Sequence, residues 1–355
     1  MILPHEWSRD LQNLHIVRSV HGTTAIEGNP LSESDVERQL LGASRNRRRD
    51  EVHRQTENAA RAFRWVESEF SAARRIRLDD ILTVHRLLTE ESDEHDNAPG
   101  RLRESGHNVT VGSADLGGVH RAPPGGTVVR SLAESFINFL NGNAFQRENA
   151  AVRALVAHFY FVTLHPFGNG NGRTARCLEA ALLYQGQYNT YGFYSLSNYF
   201  YRNREAYIRY LQEARTTHRY DLTEFLRFGL RGFREELERI NVYIRNRTHR
   251  LQYRDMIRRC SEKRIGKRRR LLNEREAKVL HCILDVTTPS DPFSDAGATE
   301  ATLDGIFPML KLFYRGKSTR TIARELTRLE ELGFIESETE GVGRIVVRFD
   351  AIAQY

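Results

Sequence analysis

Residues 150–176 constrain the fold of this chain more than any other stretch. Apolar side chains recur in helical period from Ala150 to Leu164, and Pro166 then forbids easy continuation. Gly168-Asn169-Gly170-Asn171-Gly172 follows, and Ala175, Leu178, Leu182 and Leu183 resume the period. This pattern predicts a helix, a glycine-rich loop and a second helix. Glycine-rich backbone at a helix N-terminus turns amide hydrogens outward, and with the positive end of the helix dipole it suits a phosphate chain. Arg173 and Arg176, three apart on the first turn, reach the same polyphosphate with forked, charge-assisted hydrogen bonds. His165 stands at the other lip of the loop, where an imidazole serves as a general base near neutral pH. Each feature has a plainer meaning: a helix-end histidine packs or caps, glycine beside asparagine turns, and paired arginines face solvent. A base, a phosphate nest and two arginines within the 12 residues from His165 to Arg176 favour the chemical meaning.

The flanks read as mainly helical. Leu11, Leu14, Ile16 and Val17 share a face, Ser32 with Asp35 forms a capping box for a helix through Leu41, and residues 58–66 continue in helical period. Pro99-Gly100 breaks the pattern. Residues 108–112 then alternate, and a glycine- and proline-rich stretch runs from Gly117 to Gly126, together predicting a β-hairpin or flap followed by a loop. Helical period covers residues 129–140 and, beyond the central segment, helices of moderate length run to about Arg245. Residues 276–286 and 300–313 read as helices, Ser318 caps another from Thr319 to Leu332, and two strands flank Glu340-Gly341-Val342-Gly343. Helices followed by a small hairpin predict a winged helix-turn-helix.

With 355 residues and 40% apolar composition, the chain has the material for two or three packed units. No stretch approaches the roughly 18 consecutive apolar residues of a membrane span, and the apolar start is too short for a signal peptide. Cys177, Cys260 and Cys282 are odd in number and unclustered, which predicts reduced thiols and a cytoplasmic location. The net charge of +7 concentrates between Ile244 and Arg270, where twelve Arg or Lys face Asp255 and Glu262 alone. That run is either a solvated helical connector or a phosphate-backbone contact. Gly316-Lys317-Ser318-Thr319 is not a phosphate-binding loop, because Lys311 occupies the place of its earlier glycine. His158, on the face of His165 but with no third ligand nearby in sequence, reads as a packed core histidine.

Residues 165–176 resemble the Fic family signature, His-Pro-Phe-x-(Asp/Glu)-Gly-Asn-Gly-Arg-x-x-Arg, at every fixed position but Asn169. Gly100-Arg101-Leu102-Arg103 with Val109, Thr110, Val111 and Gly112 resembles the family's flap, and residues 203–207 the stretch after its core. The resemblance covers about Trp7 to Phe233. It implies a mainly α protein, with an N-terminal helical segment over 1–75 and a Fic-type helical core with a short hairpin flap over 76–240; the residues beyond read, from charge and element pattern, as a basic helical connector over 241–270 and a winged-helix α+β domain over 271–355. It further implies transfer of AMP from ATP to a Ser, Thr or Tyr hydroxyl of a target protein, with self-modification a common companion and a homodimer possible in solution. In that scheme His165 deprotonates the hydroxyl. Asn169, Gly170, Asn171 and Gly172 line the phosphates, Arg173 and Arg176 steady the outer ones, and Tyr207 lines the adenine pocket. The flap at Val109–Gly112 would pair with the target as an added strand.

Asn169 replaces the acid that binds Mg²⁺ in the family pattern, so it stands as a weakened metal ligand. Thr23-Thr-Ala-Ile-Glu27-Gly28 resembles the inhibitory motif of one Fic class, in which Glu27 would pair with Arg176 and exclude the γ-phosphate. Two other functions stay open: removal of AMP or transfer of another phosphate-containing group at the same site, and nucleotide-sensing DNA-binding regulation through the winged helix.

Overall fold

The computed structural model describes residues 5–42, 50–70, 74–188, 195–265, 269–288, 300–338 and 344–355. The chain divides into two compact units, Met1–Leu237 and Glu238–Tyr355. Elements of the first are α1 (His5–Ile26), α2 (Glu33–Leu41), α3 (Glu51–Phe70), α4 (Leu78–Thr89), β1 (Thr110–Ser113), β2 (Gly118–Arg121), α5 (Thr127–Leu140), α6 (Asn143–Gln146), α7 (Ala150–Leu164), α8 (Asn171–Gln185), α9 (Leu196–Arg202), α10 (Arg204–Thr216) and the start of α11 (Thr223–Glu262).

α7 and α8 are buried on nearly every side, α7 with a largely apolar surface and α8 with Arg173, Arg176 and Glu179 among its buried residues. They pack against each other at the centre; α3 and α4 cover α8, α5 covers α7, and α1 lies on α3 and α9. The Asn149 side chain caps α7 by accepting from the Ala151 amide at 2.9 Å. At the other end His165 takes a left-handed conformation, φ 50°, which turns the chain out of the helix before Pro166. The Ser32–Asp35 capping box opens α2 as the sequence predicts.

β1 and β2 pair antiparallel from Thr110↔Arg121 to Ser113↔Gly118. The Ala122 amide extends the ladder to the Val109 carbonyl at 3.0 Å. Its second strand lies inside the stretch that reads as loop from its Gly and Pro content. The hairpin is fastened at two points. His120 Nε2 donates to the Thr163 carbonyl at 2.9 Å, and Thr216 Oγ1 to the Gly117 carbonyl at 3.0 Å.

The second unit contains the end of α11, β3 (Arg264–Ile265), β4 (Arg269–Arg270), α12 (Glu274–Val286), β5 (Glu300–Thr302), α13 (Leu303–Phe313), α14 (Thr319–Glu331), β6 (Ile335–Glu338) and β7 (Arg344–Val347). β5, β7 and β6 form an antiparallel sheet in that order. Its core joins Tyr253, Met256, Ile257 and Cys260 of α11 to Leu280 and Ile283 of α12, Leu310 of α13, Leu329 of α14 and Phe334.

Four expectations change. Residues 300–302 read as the start of a helix but form an edge strand, with Thr302 then capping α13 through the Gly305 amide. The helices do not stop near Arg245: α11 runs 40 residues, and its apolar positions from Tyr253 onward enter the second core. The stretch 241–270 therefore lies within the second unit, with Arg254, Arg258 and Arg259 exposed on its outer side. Ser318 sits at the N-cap of α14 without bonding a helix amide, and its hydroxyl meets Thr321 Oγ1 at 3.2 Å. Residues 340–343, read as the hairpin turn, lie outside the described residues. Among those described, no helix is long and apolar enough to cross a membrane.

Candidate active site

The loop between α7 and α8 is built by its own side chains. Asn171 accepts from the Phe167 amide at 3.0 Å and donates to the Phe167 carbonyl at 2.8 Å, so its side chain closes the turn. What Asn171 offers a phosphate is its backbone amide. The first intrahelical bond of α8 runs from the Thr174 amide to the Gly170 carbonyl, which leaves the amides of Asn171, Gly172 and Arg173 ahead of the ladder. Gly170 holds φ 71°, and a Cβ there would meet Thr89 at 2.9 Å, so a side chain is excluded by conformation and by space.

His85, which sequence reading passed over, and Arg103, which it placed in the flap, brace this loop. His85 stacks on Phe167 with centroids 3.6 Å apart, accepts from the Gly100 amide at 2.9 Å and donates from Nε2 to the Asn169 carbonyl at 3.0 Å. Burial, with the Arg173 charge nearby, lowers its pKa to about 4, in keeping with one ring nitrogen accepting and the other donating. Arg103, almost fully buried, donates to the carbonyls of His165, His107 and Pro123 at 2.8, 2.7 and 2.8 Å. It ties the base of the flap to the end of α7.

At the lip, His165 Nδ1 lies 3.3 Å from the Val162 carbonyl, which orients the ring with Nε2 as its remaining acceptor. Burial lowers its pKa to about 4, and Arg215 and Arg103 act in the same direction, so the ring is neutral at pH 7. A neutral imidazole with a free Nε2 is equipped to take a proton.

The two arginines do not face solvent. Arg176 is 1% exposed; its Nε donates to Thr23 Oγ1 at 2.7 Å, and its Nη2 to the Thr23 carbonyl at 3.1 Å and to Glu27 Oε1 at 2.6 Å. Thr23 and Glu27 are four apart at the end of α1, so one helix turn brings both to a single guanidinium. A Cβ at Gly172 would sit 2.5 Å from Glu27 Oε1, so the absence of a side chain there is what admits the carboxylate. Burial opposes charge on Glu27, but Arg176, with Arg173 and Arg204 behind it, outweighs burial and holds the carboxyl below the usual range. Arg173 donates from Nη2 to Glu94 Oε2 at 2.5 Å and to Asn169 Oδ1 at 3.2 Å.

Beneath Arg176 lies a buried polar chain. Glu179 meets His158 Nδ1 at 3.1 Å, and His158 Nε2 meets the Tyr207 hydroxyl at 2.8 Å. Burial raises Glu179 to about 8 and pushes His158 well down, so the pair is neutral with the proton on the carboxyl. Tyr207 is stacked on Phe200 at 4.6 Å and is 4% exposed, which places it in this chain under the arginine. Burial pushes its phenol to about 12 and the thiol of Cys177 to about 12, leaving both protonated.

Asn169 does not present an oxygen to a metal. Its Oδ1 accepts from the Gly170 amide at 2.5 Å and from the Arg173 cation at 3.2 Å, while its Nδ2 donates to the His95 carbonyl at 3.1 Å. Among the described residues no cluster of three His, Cys, Asp or Glu is placed to hold an ion. Mg²⁺ therefore has, among the described residues, no protein-built site of the kind the signature implies, and no chemical step is assigned to it.

Beside the loop, β2, α5, the end of α7 and Tyr220 line a mainly apolar pocket, open to solvent, of about 720 Å³, with His120, Phe136, Phe139, Tyr160 and Leu164 among its walls.

Residues 75–183 match the family model described as Fic/DOC family. A protein adenylyltransferase Fic from Aedes aegypti is 31% identical over 153 residues, 43% of this chain and 27% of that protein. The chain spans about a quarter of the length of the curated relatives it matches. A Fic family protein from Desulfovibrio desulfuricans G20 is 20% identical with a TM-score of 0.54, over 95% of this chain and 87% of that one. A solved structure of Fic-1 from C. elegans is 23% identical with a TM-score of 0.52, over 65% and 64%. These two likenesses concern the fold.

Proposed function

Because the chain carries a Fic/DOC family domain at residues 75–183, we propose that it is a protein adenylyltransferase that moves AMP from ATP to a hydroxyl of a protein. The observation that carries this reading is the joint placement of a neutral His165 and two buried arginines around the free amides that open α8. His165 Nε2 takes the proton of the target hydroxyl as its oxygen attacks the α-phosphorus. The bond to the bridging α–β oxygen breaks, and pyrophosphate leaves. Arg173, Arg176 and the α8 amides neutralise the charge that gathers on the outer phosphates, which is where phosphoryl-type transfer draws most of its catalysis.

Each strand of the flap has an unpaired edge within its two-stranded sheet, and an extended target segment would add to it by backbone pairing, with the adjoining apolar cavity receiving one of its side chains. Glu27 on Arg176 holds the site in a resting state. Intact-mass measurement tests the reaction without a known target: Glu27→Gly protein incubated with ATP and Mg²⁺ should gain one AMP on itself, and Glu27→Gly/His165→Ala should not. A gain of one phosphate instead would make the protein a kinase.

A second role for the second unit is favoured by one observation. Glu325 of α14 is buried against Arg275 and Tyr314, at 2.8 and 2.7 Å, and Glu330 receives the Ser337 amide, so the outward face presents Lys317, Arg320 and Arg324, with Glu331 at its far end. We infer contact of this face with a nucleic-acid backbone, which a salt-dependent mobility shift would detect.

A further inference from the structure

Glu27 is one of two carboxylates on the phosphate arginines. The other, Glu94, comes from the acidic loop after α4. Its Oε2 lies 2.5 Å from Arg173 Nη2, on a guanidinium that is 2% exposed. The Glu94 side chain keeps 16% of its surface against 38% for Glu27, so solvent screens this second contact less than the first. Arg173 is not saturated by it: its Nε is buried and has no hydrogen-bond partner among the described residues. A buried donor left open on a cation awaits an acceptor with more oxygens than one carboxylate supplies.

The two contacts are joined. Gln55 of α3 donates from Nε2 to Glu94 Oε1 at 2.9 Å, and its Oε1 accepts from Asn29 Nδ2 at 2.9 Å. Asn29 lies two residues beyond Glu27, in the turn that ends α1, and Asn29 Nδ2 also bonds the Val52 carbonyl at 2.9 Å. One amide side chain thus fixes both the turn that aims Glu27 and the carboxylate that engages Arg173.

We propose that Glu94 positions Arg173 and competes with the outer phosphates of the nucleotide for it, as Glu27 does for Arg176, with Gln55 setting the strength of both contacts. This rests on the adenylyltransferase reading of the site. A nucleotide with β- and γ-phosphates displaces both carboxylates and fills the open Nε of Arg173. AMP reaches neither arginine. Full-length protein is titrated calorimetrically with ATP and with AMP as the parent, Glu27→Gly, Glu94→Gln and Gln55→Leu, with melting temperatures alongside.

Glu94→Gln should bind ATP about 5–10-fold tighter than the parent and AMP equally well. Gln55→Leu, which touches neither arginine, should move ATP affinity in the same direction by a smaller factor. Glu94→Gln that melts like the parent and binds ATP no tighter overturns the proposal, and so does a gain for AMP equal to that for ATP. If Glu94→Gln fails to fold, Gln55→Leu decides by the same two criteria. Tighter ATP in Glu27→Gly with none in the other two defeats Glu94 alone and leaves the reaction standing. ATP bound by no variant defeats the reaction and Glu94 with it.

Discussion

Replacing Glu27 by Gly removes the anion on Arg176 without adding bulk, and its effects follow from the contacts around that guanidinium. Arg176 is 1% exposed and keeps both Thr23 contacts in the variant, so its orientation survives. A hydrogen bond to a charged group is worth about 1.5–3 kcal/mol, and the exposed edge of Glu27 reduces this to about 1–2 kcal/mol. ATP no longer has to displace that contact, so its affinity should rise about 5–30-fold. The ligand-free protein should lose stability by a similar amount, about 2–4 °C in melting temperature per kcal/mol for a unit of this size. Calorimetric titration with ATP, paired with melting curves with and without nucleotide, reads both. The diagnostic pattern is a lower melting point without ATP and a larger rise on adding it. Arg176→Ala should bind ATP weakly whether or not Glu27 is present, since both effects act through one guanidinium and cannot add. A correctly folded Glu27→Gly that binds ATP no tighter would refute the reasoning, because the ion pair would then be no barrier to the phosphate.

Other expectations rest on single residues or on charge. His165→Ala should lower transfer about 10²–10⁴-fold and leave ATP affinity unchanged, as measured by label transfer and titration. With the His165 pKa lowered to about 4, transfer should stay level between about pH 6 and 8 rather than fall near the usual histidine value; a fall centred on 6.5 would contradict its burial. Gly170→Ala should destabilise the first unit by about 1–3 kcal/mol, seen as a lower denaturant midpoint. Stability should fall on acidification: His15, His85 and His165 have folded values of about 3, 4 and 4, so their contribution is complete above 6.5 and lost as pH falls toward 4. Glu179, raised to about 8, acts with the opposite sign, and its proton is offset by that of His158, which burial pushes well down, so these five groups together give a slope of at most about 4 kcal/mol per pH unit between 4.5 and 6.5. A melting temperature that is flat from pH 7 to 5 would count against the buried neutral histidines.

Local signals carried much of the fold. The Ala150–Leu164 helix, its stop before Pro166 and the Ser32 capping box are written in neighbouring residues, and the structure places them there. Residues 300–302 misled because three residues carry no period, and pairing with β7 decided their state. The length of α11 was hidden by its arginines, whose apolar neighbours Tyr253, Met256 and Ile257 recur at helical spacing but were outweighed by the charge around them. The loop side chains His165, Arg173 and Arg176 were legible because they are close in sequence. His85, Glu94 and Glu179 were not, since each acquires meaning only from a partner 84, 79 and 21 residues away respectively. Asn169 shows the limit of a signature read alone: its missing charge was visible, but the Arg173 donor that occupies its oxygen was not.

The most direct measurement of the reaction uses Glu27→Gly protein with ATP labelled at either the α- or the γ-phosphate, separating protein from nucleotide after incubation. Transfer of AMP through a proton taken by His165 predicts label on protein from the α-position only, and its loss in Glu27→Gly/His165→Ala. Label from the γ-position, or α-label that persists without His165, would contradict it.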